Sequence, residues 1–307
     1  MENIELTVNQ IFDDVKRHGD AAIKKYTELF DGASQQCNMV TEEEMELASN
    51  LVSEELKRAI KLAKSNIEKF HQAQKTDKLE VETTPGVVCW QEKRPIEKIG
   101  LYIPGGTAPL FSTVLMLAIP ATIAGCKDIV LCTPPNKEGK VANEILYTAK
   151  LCGIDKIYKV GGIQAIAGMT FGTKTMPRIF KIFGPGNQFV TVAKQLATKY
   201  GVAIDMPAGP SELLVVADQS AQAAYVASDL LSQAEHGVDS QVVLVSSSEA
   251  FIKRVQNEIS KQLLDLPRKA IAEKAISNSK FIYMQQETDA LDLINAYAPE
   301  HLIIATP

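Results

Sequence analysis

The chain has 307 residues, 46% apolar and 22% charged, which is the make-up of a globular protein long enough for two domains of ordinary size. Its net charge of −5 argues against nucleic acid as a partner and against attachment to an anionic membrane, because both need a basic face. The polar, acidic start MENIELTVNQ is no secretory signal, and Leu110–Gly125, the most apolar run, is short and interrupted by Ser, Thr and Pro. The five cysteines, Cys37, Cys89, Cys126, Cys132 and Cys152, form no CxxC pair and read as small buried thiols in a reduced compartment. A cytoplasmic protein without disulfides is expected.

Residues 1–75 read as helices. VNQIFDDVKRHG carries apolar residues at helical spacing and ends at Gly19. Thr41 with Glu44 makes a capping box, and the helix it opens is expected to run to about Phe70. Beyond that, short β-branched runs alternate with helical stretches of about a dozen residues, the rhythm of βαβ units and a parallel sheet covered on both faces. Three loops, Tyr102–Leu110, Lys159–Gly168 and Ile182–Val190, join a strand to a helix through glycine-rich backbone. Helix N-termini there favour phosphate, although tight βα turns use glycine for steric reasons alone. None matches GxGxxG or a Walker loop, which counts against an α/β phosphotransferase.

PAGPSE (Pro207–Glu212) looks like a joint, and the same rhythm resumes after it. The expected fold is α/β: two Rossmann-like domains with mostly parallel sheets, preceded by N-terminal helices. The expected boundaries pair residues 1–102 with 212–307 in a discontinuous first domain and leave 103–211 for the second.

Two clusters in the second half carry titratable chemistry. In DLLSQAEHGVDSQ, Gln233 and His236 are three apart and share a face of a helix that Gly237 stops. They are two ligands of a metal ion, or a His favoured by the helix dipole beside a solvated Gln. Glu300 and His301 open the apolar strand HLIIA and are either an acid–base pair or a surface dipeptide. Adjacent strand residues point to opposite faces, so both reach one pocket only if the backbone turns, for which Pro299 is suited. His18 and His71 lie in polar helical stretches and read as solvated.

Taken together, GLYIPGGTAPLFSTVLMLAIPATIAGC, KIFGPGN, AIDMPAGPSE, ASDLLSQAEHGVDSQV and YAPEHLII resemble the signature segments of the histidinol dehydrogenase family, across essentially the whole chain. The resemblance implies oxidation of L-histidinol through L-histidinaldehyde to L-histidine, the last steps of histidine biosynthesis, with two NAD in succession and one zinc per site. It implies a homodimer. By position, Tyr102, Gln164 and Asn187 match NAD-contacting residues, and Ser211 a substrate-contacting serine. Gln233 and His236 match zinc ligands beside the substrate, and Glu300 and His301 the acid–base pair, with His301 also against the substrate. Family chains continue past the point matching Pro307, with an Asp and a His of the zinc shell and a Glu near the substrate. They also carry a longer N-terminal segment. On that comparison these residues form the family's core without its C-terminal swapping segment, a core expected to be inactive or weakly active, or a nucleotide-binding core without turnover.

Overall fold

A computed structural model describes residues 2–34, 38–105, 109–207 and 211–306. Cys37 lies outside the described residues. Contacts divide the chain into two compact units, residues 1–208 and 209–307.

The first unit begins with α1 (Glu2–His18) and α2 (Asp20–Asp31), separated by Gly19 at φ 55°, a left-handed angle that glycine takes without strain. The capping box of Thr41 and Glu44 opens α3 (Glu42–Leu51) as expected. The helix does not run on to Phe70. Val52 turns extended and Ser53 accepts a hydrogen bond from the Leu56 N–H, starting a new helix, α4 (Glu54–Ala73). A hairpin, β1 (Leu79–Thr84) and β2 (Val87–Gln91), follows with every residue exposed. It carries Cys89, which is therefore not a buried thiol; Cys132 is buried, and Cys126 and Cys152 are half-buried.

The alternation then appears as read: β3 (Lys98–Tyr102), α5 (Phe111–Ala124), β4 (Asp128–Thr133), α6 (Asn143–Leu151), β5 (Lys156–Lys159), α7 (Gly162–Phe171), β6 (Lys181–Phe183), α8 (Gln188–Thr198) and β7 (Ala203–Ile204). The sheet is parallel, in the order β5-β4-β3-β6-β7. Its direction of winding reverses between β3 and β6, and a crevice opens at the carboxyl ends of strands at such a point. The N-terminal helices belong to this unit. Val8, Ile11 and Phe12 of α1 share a core with Ile163 and Ile166 of α7, and Val40 and Met45 pack with Ile145 and Leu146 of α6. Lys159 at the end of β5 pairs with Glu44 at 2.9 Å, tying α3 to the sheet.

The second unit contains β8 (Glu212–Ala217), α9 (Ala223–Ala234), β9 (Gln241–Ser246), α10 (Glu249–Gln262), α11 (Lys269–Asn278), β10 (Lys280–Tyr283), α12 (Glu287–Tyr297) and β11 (His301–Ala305). Its parallel sheet has the order β10-β9-β8-β11 and is built wholly from residues 212–305. Helices α9, α10 and α11 cover one face, and α12 packs Ala290 and Ile294 on the other. The expected grouping of residues 1–102 with 212–307 is thus corrected. β3 hydrogen-bonds to β4 and β6, and α1 to α4 bury their apolar faces against residues 103–208.

Candidate functional site

In the first unit, the three residues matched to NAD contacts line one cavity of about 600 Å³, at the carboxyl ends of β3 and β6. Tyr102 ends β3 and is buried; its hydroxyl accepts a 3.0 Å hydrogen bond from the Gly162 N–H at the start of α7. Burial pushes the phenol up to about 12, against the pull of that hydrogen bond and with help from the neighbouring charge of Asp31. Asn187 caps α8, its Oδ1 accepting from the Val190 N–H at 3.1 Å. Two of the three helix starts therefore have an N–H already engaged by a side chain.

Gln164 is fully buried, yet among the described residues neither its amide oxygen nor its amide nitrogen has a hydrogen-bond partner. Buried amides are nearly always paired, so an orphan one at a cavity wall suits a ligand that supplies the missing donor and acceptor. The loop glycines serve close packing. A Cβ on Gly161 would lie 2.4 Å from Pro134 Cβ, and one on Gly105 2.6 Å from Pro134 Cγ, so both loops close on one proline. Buried Lys194 fixes the turn after β6. Its ammonium donates to the Gly184 carbonyl at 2.8 Å and pairs with Asp205, whose other oxygen accepts from the Gly184 N–H at 2.8 Å.

In the second unit, the remaining candidates come to one edge. Ser211 immediately precedes β8, and its carbonyl accepts from the Gln241 N–H, the first residue of β9, at 3.0 Å. Gln233 sits in the last turn of α9, which runs back from the carboxyl end of β8 toward that same edge. The helix ends at Ala234 rather than His236, which lies in the following turn with its N–H on the Gln233 carbonyl at 3.2 Å. Gly237 takes no left-handed angle and is not the cap. Ala298, at φ 48°, swings the chain out of α12, and Glu300 lies in a bend before β11. The required turn is therefore present. Glu300 Oε2 and His301 Nε2 come within 3.9 Å, both side chains well exposed. Glu300 Oε2 also accepts a long 3.5 Å contact from the Glu212 N–H. Tyr297 donates to Gln241 Oε1 at 2.7 Å, bracing the end of α12 against β9.

Ser211, Gln233, His236, Glu300 and His301 thus gather at the amino edge of β8, β9 and β11. That is the end opposite to where ligands of open α/β sheets usually bind. The carboxyl ends of these strands carry a different cavity, of about 510 Å³, lined by Asp218, Ser246 and Ile304 among others, which holds none of the candidates.

The model of the histidinol dehydrogenase family matches residues 1–306. The chain belongs to the histidinol dehydrogenase family. It is 56% identical over 305 residues to histidinol dehydrogenase of Bacteroides thetaiotaomicron, covering 99% of this chain and 71% of that one. It is 52% identical over 307 residues to the enzyme of Escherichia coli K12, covering 99% and 70%. A crystal structure of histidinol dehydrogenase from Elizabethkingia anophelis superposes with a TM-score of 0.95 at 56% identity, across 99% of this chain and 70% of that chain.

For this family member, the remaining histidines are accounted for. His18 Nδ1 lies 2.6 Å from Asp14, and His71 Nδ1 2.6 Å from Gln74, both on exposed helix surface. The cavity residues outside the three loops that the sequence singles out are Thr7, Phe30, Asp31 and Pro134. Asp31 had a readable signal: it is an acid in the last turn of a helix, just before a glycine cap. Among the described residues no three His, Cys, Asp or Glu side chains converge as a metal site, and no helix is long and apolar enough to cross a membrane.

Proposed function

We propose that this chain oxidises L-histidinol through L-histidinaldehyde to L-histidine in the cytoplasm, reducing two NAD in succession. The observation that carries the reading is the convergence of Ser211, Gln233, His236, Glu300 and His301 on one sheet edge, in a chain of this family. NAD, when bound in the cavity of Tyr102, Gln164 and Asn187, would supply the hydride acceptor; the orphan Gln164 amide fits such a guest.

His301 takes the hydroxyl proton of the alcohol as the carbon gives up its hydride. Glu300 then takes a proton from the water that adds to the aldehyde carbon while His301 returns its proton to the former carbonyl oxygen, forming a gem-diol and leaving His301 neutral. His301 takes a proton from that diol during the second hydride loss, which leaves the carboxylic acid, and this loses its own proton to water at neutral pH. Their exposure and mutual approach to 3.9 Å leave both groups open to substrate. Ser211, held against β9 by its carbonyl, has a hydroxyl without a hydrogen bond among the described residues, which suits it to position the substrate.

Zinc is implied by the family, and Gln233 and His236 are the candidate ligands. Gln233 is buried, and its side chain makes no hydrogen bond among the described residues; His236 is exposed. An amide oxygen and an imidazole are neutral donors that zinc accepts, but two fall short of the three or four protein groups a zinc site needs. The described residues do not complete the site, so no step is derived through the metal. A second reading is a nucleotide-binding core without turnover, which the cavity of Tyr102, Gln164 and Asn187 supports by itself.

A homodimer is proposed on the hairpin β1–β2, where Val81, Val87, Val88 and the sole tryptophan, Trp90, stand 45% to 60% exposed. Zinc content and histidinol-dependent NADH formation on the 307-residue chain test the proposal. The expected result is loose zinc and slow turnover that rises with added zinc. Absence of NADH at every zinc concentration, with NAD still bound, would leave only the binding core.

A further inference from the structure

The cavity of Tyr102, Gln164 and Asn187 contains one charged group that the chemistry above leaves unused. Asp31 is the last residue of α2, where the helix dipole opposes a carboxylate. Its Oδ2 is buried and has no hydrogen-bond partner among the described residues. Burial pushes the carboxyl up to about 6, so the group is still ionised at neutral pH. A carboxylate set against a helix dipole, with one oxygen buried and unpaired among the described residues, is poorly served by the fold and well placed for a ligand that brings O–H groups.

The rest of the wall says what kind of ligand. Phe30 and Phe189, 53% and 42% exposed, present aromatic surface to the same cavity, suited to a flat base. Buried Gln164 offers an unpaired amide donor and acceptor. No lysine or arginine is among the described residues of the lining. An aromatic surface, an amide and a carboxylate acceptor together recognise a nucleoside, whose ribose diol supplies two O–H donors. The same set repels a phosphate on the 2′-oxygen, since Asp31 is negative and no described residue of the lining balances a second charge.

We propose that Asp31 is a specificity-determining residue for the dinucleotide, accepting hydrogen bonds from a ribose diol of NAD and excluding NADP. This rests on the reading of the cavity as the NAD site. Asp31→Asn keeps the shape and removes the charge.

The test is calorimetric titration of the 307-residue chain, its Asp31→Asn variant and its Gln164→Leu variant with NAD and with NADP, after circular dichroism confirms that each is folded. The expected result is a wild-type preference for NAD that Asp31→Asn narrows by at least about tenfold, NAD itself binding about tenfold more weakly. An unchanged ratio of the two affinities in Asp31→Asn, with NAD binding still lost in Gln164→Leu, overturns the role of Asp31 and leaves the cavity as the NAD site. No NAD binding by the wild type, or binding indifferent to Gln164→Leu, overturns the site itself and the inference with it.

Discussion

The Tyr102 hydroxyl accepts its 3.0 Å hydrogen bond from the Gly162 N–H, 60 residues further along the chain, joining the carboxyl end of β3 to the first turn of α7. Gly162 stands at φ 59°, and a Cβ there would lie 3.0 Å from Gln164 Oε1. One contact therefore sets the height of the loop, and one glycine leaves room for the amide that faces the cavity. Tyr102→Phe leaves the Gly162 N–H without an acceptor, which costs about 1–3 kcal/mol. Urea denaturation should show that loss, and NAD affinity should fall with it.

Lys194 carries the other loop. Lys194→Met removes the partner of Asp205 and the donor to the Gly184 carbonyl. Breaking a buried pair from one side costs about 3–5 kcal/mol, whereas replacing both partners costs much less. The double variant Lys194→Met, Asp205→Asn should therefore be more stable than the sum of the single losses predicts. Additive losses in a double-mutant cycle would mean that the two groups act separately.

Asp31 gives stability an inverted pH dependence. Its carboxyl is raised by burial from 3.8 to about 6, so the native state binds this proton more tightly than the unfolded chain. Its contribution is fully present below about pH 4 and is lost as pH rises through about 6. Asp31→Asn lacks the titration and should be more stable than the wild type at pH 8, by about 1 kcal/mol once the partial exposure of the group is allowed for. Melting temperatures at pH 4 and pH 8 measure this, and the gap should open only at the higher pH.

Glu300 and His301 should separate the two oxidations. With zinc added, His301→Asn should slow both by about 10²–10⁴-fold. Glu300→Gln should leave alcohol oxidation nearly intact and slow the step that needs an activated water. Rates with L-histidinol and with L-histidinaldehyde distinguish them, and equal losses in Glu300→Gln would contradict this division of labour.

Much of the architecture was legible because strands buried on both faces, such as DIVLCT and QVVLVS, read as continuous apolar runs between helices. The break at Val52–Ser53 was not, since apolar spacing continues across it and only the Ser53 cap marks the new helix. The hairpin at 79–91 was missed because strands exposed on both faces have no alternation to detect. The Glu300–His301 pair stood out by its chemistry, but the rhythm of strands and helices does not say which end of a strand meets a ligand. That residues 1–102 pack with 103–208 is not legible, because packing partners of helices far apart in sequence leave no local trace. Asp31 is not legible as a site residue because an acid on a helix reads as solvated until its burial without a partner among the described residues is seen.

The most direct measurement is the number of NADH formed per L-histidinol consumed, at saturating zinc and NAD. Two NADH per L-histidinol, with L-histidine as the only product, is the result predicted for a chain whose His301 serves both oxidations and whose Glu300 activates the intervening water. One NADH, with the aldehyde accumulating, or none at all, would contradict the account.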